Sequence, residues 1–264
     1  MRSKLVVGNW KMNCTVAESL ALVEAFFEQV DQQWDVDVVI CPPFPSLFSV
    51  HTLLKNTHIK LGAQNCFWED DGAFTGQVSP LMLSHFCADY CIVGHSETRG
   101  RFGGGSPSDA ATAYFCEKDE AINLKIKRLL YHAITPILCV GETQEERDSG
   151  QTESVIASQL QGGLAGVDKS ELFGLVVAYE PVWAIGTGNT CEAAEANRVC
   201  GFIRNVLAEL EDDADVADHA RILYGGSVKP GNSDELFAQS EIDGGLVGGA
   251  SLDADGFARI VMSA

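Results

Sequence analysis

Short, unbroken apolar runs recur along the whole chain. They are Leu5-Val6-Val7, Val38-Val39-Ile40, Ile59 to Ala63, Cys91-Ile92-Val93, Ile137 to Val140, Leu175 to Ala178, Ile222-Leu223 and Leu246-Val247. Glycine, proline, asparagine or a charged residue bounds them. Apolar character that is continuous rather than alternating predicts strands buried on both faces, hence a parallel sheet. Between the runs lie apolar stripes at helical spacing. Val16, Leu20, Val23, Phe27 and Val30 mark one, Ile122, Ile126, Leu129 and Ala133 a second, and Val199, Ile203, Val206 and Leu210 a third. Pro80, Pro181 and Pro230 stand at run ends, where turns and first helical positions tolerate them. Eight strand-like runs alternating with helices over ~250 residues predict an α/β fold, a (β/α)8 barrel forming one domain over residues 1–264. The alternative is an open doubly wound sheet. No Gly-x-Gly-x-x-Gly follows the first run, which weakens a dinucleotide-binding reading.

Charge narrows the classes of partner. Among 264 residues, 18 are Lys or Arg and 37 are Asp or Glu, a formal net charge of −19. Nucleic acid and anionic membranes demand a basic face, so neither is expected as a partner. A small anionic substrate would need a local positive site. No run approaches the ~18 apolar residues of a membrane span. The start, Met1-Arg2-Ser3-Lys4-Leu5, has no long apolar stretch and no small-residue cleavage site, so no secretory signal is expected. The nine cysteines are odd in number and include no Cys-x-x-Cys pair. Cys87 and Cys91 lack the partner cluster of a zinc site, and Cys41, Cys91 and Cys139 lie within apolar runs. Small core cysteines in a reduced, cytoplasmic protein are expected. Residues 103–116 start as a Gly/Ser/Pro turn after the fourth strand, where barrel loops are usually short. Ala111, Ala113, Tyr114 and Phe115 predict that Ala110 to Cys116 forms a short packed helix at a subunit boundary.

In such a barrel, chemistry sits at the C-terminal strand ends. Asn9 and Lys11 follow the first run, and Lys11 supplies the positive charge that the net balance denies. His95, Ser96 and Glu97 follow the fourth. Glu180 ends the sixth and precedes an apolar string with two glycines, a composition suited to a lid that excludes water. Gly225-Gly226-Ser227 and Gly248-Gly249 follow the seventh and eighth, where backbone N–H groups can approach an anion closely. Taken singly, these are a surface lysine, a hydrogen-bonded histidine, a solvated glutamate and tight turns. Together they converge on an anion site with a carboxylate base and a cation.

Several strings are more specific. Asn9-Trp10-Lys11-Met12-Asn13, Gly62-Ala63-Gln64-Asn65, Gly72-Ala73-Phe74-Thr75-Gly76, Gly94-His95-Ser96-Glu97, Thr135 to Thr143, Ala178 to Gly188, Tyr224 to Val228 and Leu246 to Leu252 occur in order. From about residue 4 to residue 260 the chain resembles the triosephosphate isomerase family. The resemblance implies interconversion of dihydroxyacetone phosphate and D-glyceraldehyde 3-phosphate, in glycolysis and gluconeogenesis, by a cytoplasmic homodimer with no cofactor and no metal. It implies that Glu180 is the base, that His95 is a neutral electrophile and that Lys11 and Asn9 hold the substrate. Ser96 and Glu97 would support them. Gly186, Ser227, Gly248 and Gly249 would present N–H groups to the phosphate, and Ile185 and Leu246 would cover Glu180.

The chain also departs from the family pattern. Thr98 stands where the family commonly has Arg, Gln77 where it has Glu, and Asn189-Thr190-Cys191 where it has Lys-Thr-Ala. The connection after the fourth strand is also longer. The family's Glu and Arg commonly pair across the dimer, so restoring the arginine alone at 98 is expected to weaken the dimer. The competing reading is a barrel that keeps the fold without activity. Such a chain should have lost Lys11, His95, Glu180 or the glycine pairs, and all are present.

Overall fold

The computed structural model describes residues 2–29, 35–104, 108–210 and 214–264. Its strands are β1 (Lys4–Asn9), β2 (Val36–Cys41), β3 (Lys60–Ala63), β4 (Tyr90–Val93), β5 (Thr135–Val140), β6 (Val176–Tyr179), β7 (Arg221–Tyr224) and β8 (Gly244–Val247). Each pairs in parallel with the next, and β8 returns to β1, so the sheet is a closed barrel rather than an open doubly wound one.

The runs are continuous because the two faces of each strand meet different apolar surroundings. Leu5, Val7, Val39, Ile92, Ile137 and Leu223 fill the barrel interior. Val6, Ile40, Val93, Leu138 and Ile222 face the surrounding helices. Alternation along a strand sends neighbours to opposite faces, and here both faces are dry.

The helical stripes fare unevenly. The helix Asp119–Tyr131 buries Ile122, Ile126 and Leu129, as their spacing predicts. Ala133 lies past its end, exposed and at φ 57°. The helix Ala193–Leu210 buries Val199, Ile203 and Val206, and leaves Leu210 half-buried. The helix Val16–Gln29 instead buries Ser19, Val23 and Phe26. Val16 is exposed, Leu20 and Phe27 are half-buried, and Val30 lies outside the described residues. The core line is displaced because Ser19, a polar residue, points inward and donates to Ser46 Oγ at 2.9 Å.

Pro80 opens the helix Pro80–His85, with Ser79 as its N-cap accepting from the Met82 N–H at 3.1 Å. In the segment after β4, residues 105–107 lie outside the described residues. The short helix is Asp109–Tyr114, and none of its residues is buried. Tyr114 is 78% exposed, and the expected packing of this helix was against a second subunit, which a single chain does not present. Within the chain, the Phe115 ring meets Phe102 edge-on. Among the described residues, no helix is long and apolar enough to cross a membrane.

Candidate active site

The C-terminal strand ends bring the chemical residues to one mouth of the barrel. Beyond β1 the chain turns at Lys11, whose φ of 52° is unfavourable for a residue with a side chain. Two side chains hold it there. The Lys11 N–H donates to Asn9 Oδ1 at 3.0 Å, and Gln64 Nε2 donates to the Lys11 carbonyl at 2.8 Å. This fixes the root of the side chain, and its ammonium lies 2.7 Å from Glu97 Oε1.

Glu180 continues the β6 ladder, its N–H donating to the Val140 carbonyl at 2.8 Å. Its carboxylate is turned inward, and the residue is 2% exposed. The Ser96 N–H donates to Oε2 at 2.8 Å. His95 Nε2 lies 2.9 Å from Oε1, so the imidazole faces the second carboxylate oxygen directly. Burial pushes the Glu180 carboxyl up. The neighbouring His95, the Ser96 amide and Lys11 outweigh that and hold it below its ordinary value.

The cavity beside these groups has a volume of about 540 Å³. Asn9, Lys11, His95 and Glu180 line one part of it, and Gly186, Ser227, Gly248 and Gly249 also line it. Ile185 and Leu246 add apolar wall. Ser96 and Glu97 act on this group through the contacts given above. The structure therefore brings together all the residues singled out from the sequence. A cleft of about 1000 Å³ between Arg99, Lys118 and Gln161 is larger, but it is lined by charges of both signs and lacks this convergence.

Several participants were missed in the sequence. Lys229 lines the cavity beside Gly225 and Gly226, already placed at the anion site by the sequence, and beside Asn13, Val228 and Ala250, which the motif strings contain but to which no role was given. Lys229 was visible as a basic residue two past Ser227. Cys139, an inward residue of β5, has its thiol pushed up by burial and then by the Glu180 carboxylate beside it. Glu142, fully buried, accepts from the Trp183 indole N–H at 2.8 Å and the Tyr179 hydroxyl at 3.1 Å, which ties down the start of the lid string. Burial pushes its carboxyl above the ordinary value.

The family model for triosephosphate isomerase matches residues 4–264. The chain belongs to the triosephosphate isomerase family. It is 50% identical over 261 residues to triosephosphate isomerase from Herpetosiphon aurantiacus, covering 99% of each chain. It is 47% identical over 263 residues to that of Dictyoglomus thermophilum and 49% identical over 265 residues to that of Chlorobium phaeovibrioides, covering 100% of each chain in both cases.

Against the triosephosphate isomerase pattern, the departures have definite places. The Thr98 hydroxyl lies 2.8 Å from the His95 carbonyl and 3.0 Å from Glu117 Oε2. Glu117 is ion-paired with the buried Lys125, which also donates to Asn65 Oδ1 at 2.8 Å. Gln77 is exposed. The Asn189 N–H donates to Thr187 Oγ1 at 3.1 Å within the lid string. Cys191 is buried, which pushes its thiol up to about 12.

Proposed function

We propose that this chain interconverts dihydroxyacetone phosphate and D-glyceraldehyde 3-phosphate through an enediolate, the reaction that serves glycolysis and gluconeogenesis. The observation that carries the reading is the buried Glu180 carboxylate, 2.9 Å from His95 Nε2, in a cavity that Lys11 also lines. Glu180 takes a proton from the carbon next to the carbonyl and returns it to the neighbouring carbon. His95 donates from Nε2 to the carbonyl oxygen as it gains charge. The Lys11 ammonium stabilises the same charge, and Asn9 positions the substrate. Donors set in advance for a developing oxyanion favour the transition state over the ground state.

The phosphate is assigned to the backbone N–H groups of Gly186, Ser227, Gly248 and Gly249. With substrate under Ile185 and Leu246, loss of water raises the basicity of Glu180 and shields the enediolate from losing phosphate. No cofactor enters this scheme. Among the described residues, no three His, Cys, Asp or Glu side chains are grouped to hold a metal ion. A coupled assay with both triose phosphates, with and without a chelator, tests the proposal. Turnover in both directions regardless of chelator is expected, and no turnover in either direction would overturn it.

The same reading includes a homodimer in the cytoplasm. Met12 is 96% exposed, and Phe44, Phe48, Phe74 and Met82 are also exposed. Exposed apolar groups in this number support a protein–protein contact. The loop from Gln64 to Pro80 would reach into the partner subunit. Sedimentation at micromolar concentration is expected to show two chains, and a monomer would sink the assembly.

A further inference from the structure

Gly103 and Gly104 follow the loop that carries His95, and their backbone runs directly against the lid string. A Cβ built on Gly103 would lie 2.1 Å from the Val182 carbonyl oxygen and 2.4 Å from that of Ile185. One built on Gly104 would lie 2.5 Å from the Gly186 carbonyl oxygen. Glycines of loose turns look different: a Cβ on Gly150 or Gly174 meets nothing within 4 Å. Neither Gly103 nor Gly104 has a positive φ, so backbone conformation does not demand glycine there. Close approach does.

The stretch that leans on the lid is itself held on both sides. Arg101 donates to Glu146 Oε2 at 2.7 Å and to the Gly141 carbonyl at 3.3 Å. The Glu117 N–H donates to the Thr98 carbonyl at 3.0 Å, and the Phe115 ring packs on Phe102. Gly100, at φ 73°, comes so close to the Phe115 carbonyl that a Cβ would lie 2.1 Å from it. The lid string has less of its own. Beyond Ile185 it is held by short local bonds, such as the Thr187 hydroxyl to the Trp183 carbonyl at 2.8 Å. Ile185 and Gly186 are also cavity walls.

We propose that Gly103 and Gly104 brace the lid, and are therefore positioning residues for the isomerisation. The inference rests on the proposed function for its catalytic consequence, though not for the contact itself. A displaced lid leaves Ile185 and the Gly186 N–H out of place. Turnover then falls, and a larger share of enediolate loses phosphate by cleavage of its C–O bond, leaving the enol of a 2-oxoaldehyde.

The test uses the full chain with Gly104→Ala, and with Phe115→Ala as a second variant that frees the far anchor without adding a clash. Hydrogen exchange of peptides covering 182–191 is measured beside kcat, KM and inorganic phosphate released per turnover. In Gly104→Ala, lid exchange is expected to rise about tenfold while strand amides are unchanged. A fall of about ten- to a hundredfold in kcat and a larger phosphate share should accompany it. Phe115→Ala should move the same readouts by less, and it decides the matter should Gly104→Ala fail to fold. Unchanged lid exchange and phosphate share, or exchange raised equally across the barrel, would overturn the brace. If the wild type turns over neither triose phosphate, the functional reading fails, and lid exchange still judges the contact.

Discussion

The Glu97 N–H donates to His95 Nδ1 at 3.2 Å. An N–H can be accepted only by a nitrogen without a proton, so this bond assigns a neutral ring whose proton sits on Nε2. That nitrogen is the one beside Glu180. One residue thus serves twice, since the Glu97 carboxylate also holds Lys11.

His95 should therefore act as a hydrogen-bond donor to the carbonyl. Removing one such donor costs about 10²–10³-fold in turnover. His95→Ala is expected to lose kcat in that range in steady-state assays. Nitrogen NMR of the wild type should show the proton on Nε2. Near-native kcat, or a protonated Nδ1, would contradict the assignment.

Glu180 offers a test by length. Shortening it to Asp withdraws the carboxylate by about one bond from its place against the Ser96 N–H, and ~1 Å of misplacement costs about 10²-fold in rate. Glu180→Asp should lose kcat on that scale with little change in KM. If kcat stays near native, Glu180 is not the base.

How much of this was legible depended on whether a residue's role was local. The strands were readable because both of their faces are apolar, and Asn9, His95, Glu180 and the glycine pairs because they fall where strands end. The helix Val16–Gln29 was misread because Ser19 points inward to Ser46, a partner distant in sequence that no spacing rule supplies. Cys139 read as core filler, and alternation alone does not say that Glu180 lies beside it. Gly103 and Gly104 read as the start of a turn. Their close approach to Val182, Ile185 and Gly186 exists only once β4 and β6 are set in the barrel.

Acid should separate the enzyme from its substrate. The Glu180 carboxyl is pushed up by burial, but His95, Ser96 and Lys11 hold it below its ordinary 4.5. Its ionised form is favoured in the fold. It therefore contributes stability above pH 4.5 that is lost as pH falls through the lower folded value. A phosphate monoester dianion takes up a proton near pH 6, at about its second pKa. The acid limb of kcat/KM should thus follow the substrate, with Glu180 still ionised. Carboxyl NMR of the free protein should place the Glu180 midpoint below 4.5, and a midpoint above it would refute this.

If the chain pairs as proposed, Thr98 calls for a revised expectation. With Gln77 neutral, an arginine restored alone was expected to sit unpaired at the interface and weaken the dimer, since an uncompensated, partly buried charge costs several kcal/mol by the usual estimate of about 3–5. The structure supplies an acceptor in the same chain. Glu117 Oε2 is 3.0 Å from the Thr98 hydroxyl, and the carboxylate's present cation is Lys125. A guanidinium at position 98 starts beside that carboxylate and can share it with Lys125, because a carboxylate accepts from two donors at once. Thr98→Arg should therefore dissociate on dilution no more readily than the wild type. Adding Gln77→Glu should tighten the dimer only if position 77 of one subunit meets position 98 of the other, and any such gain should shrink with added salt. Sedimentation across a dilution series at two salt concentrations decides. A single variant that falls apart, rescued by the double, would mean that Glu117 is not available to the new arginine.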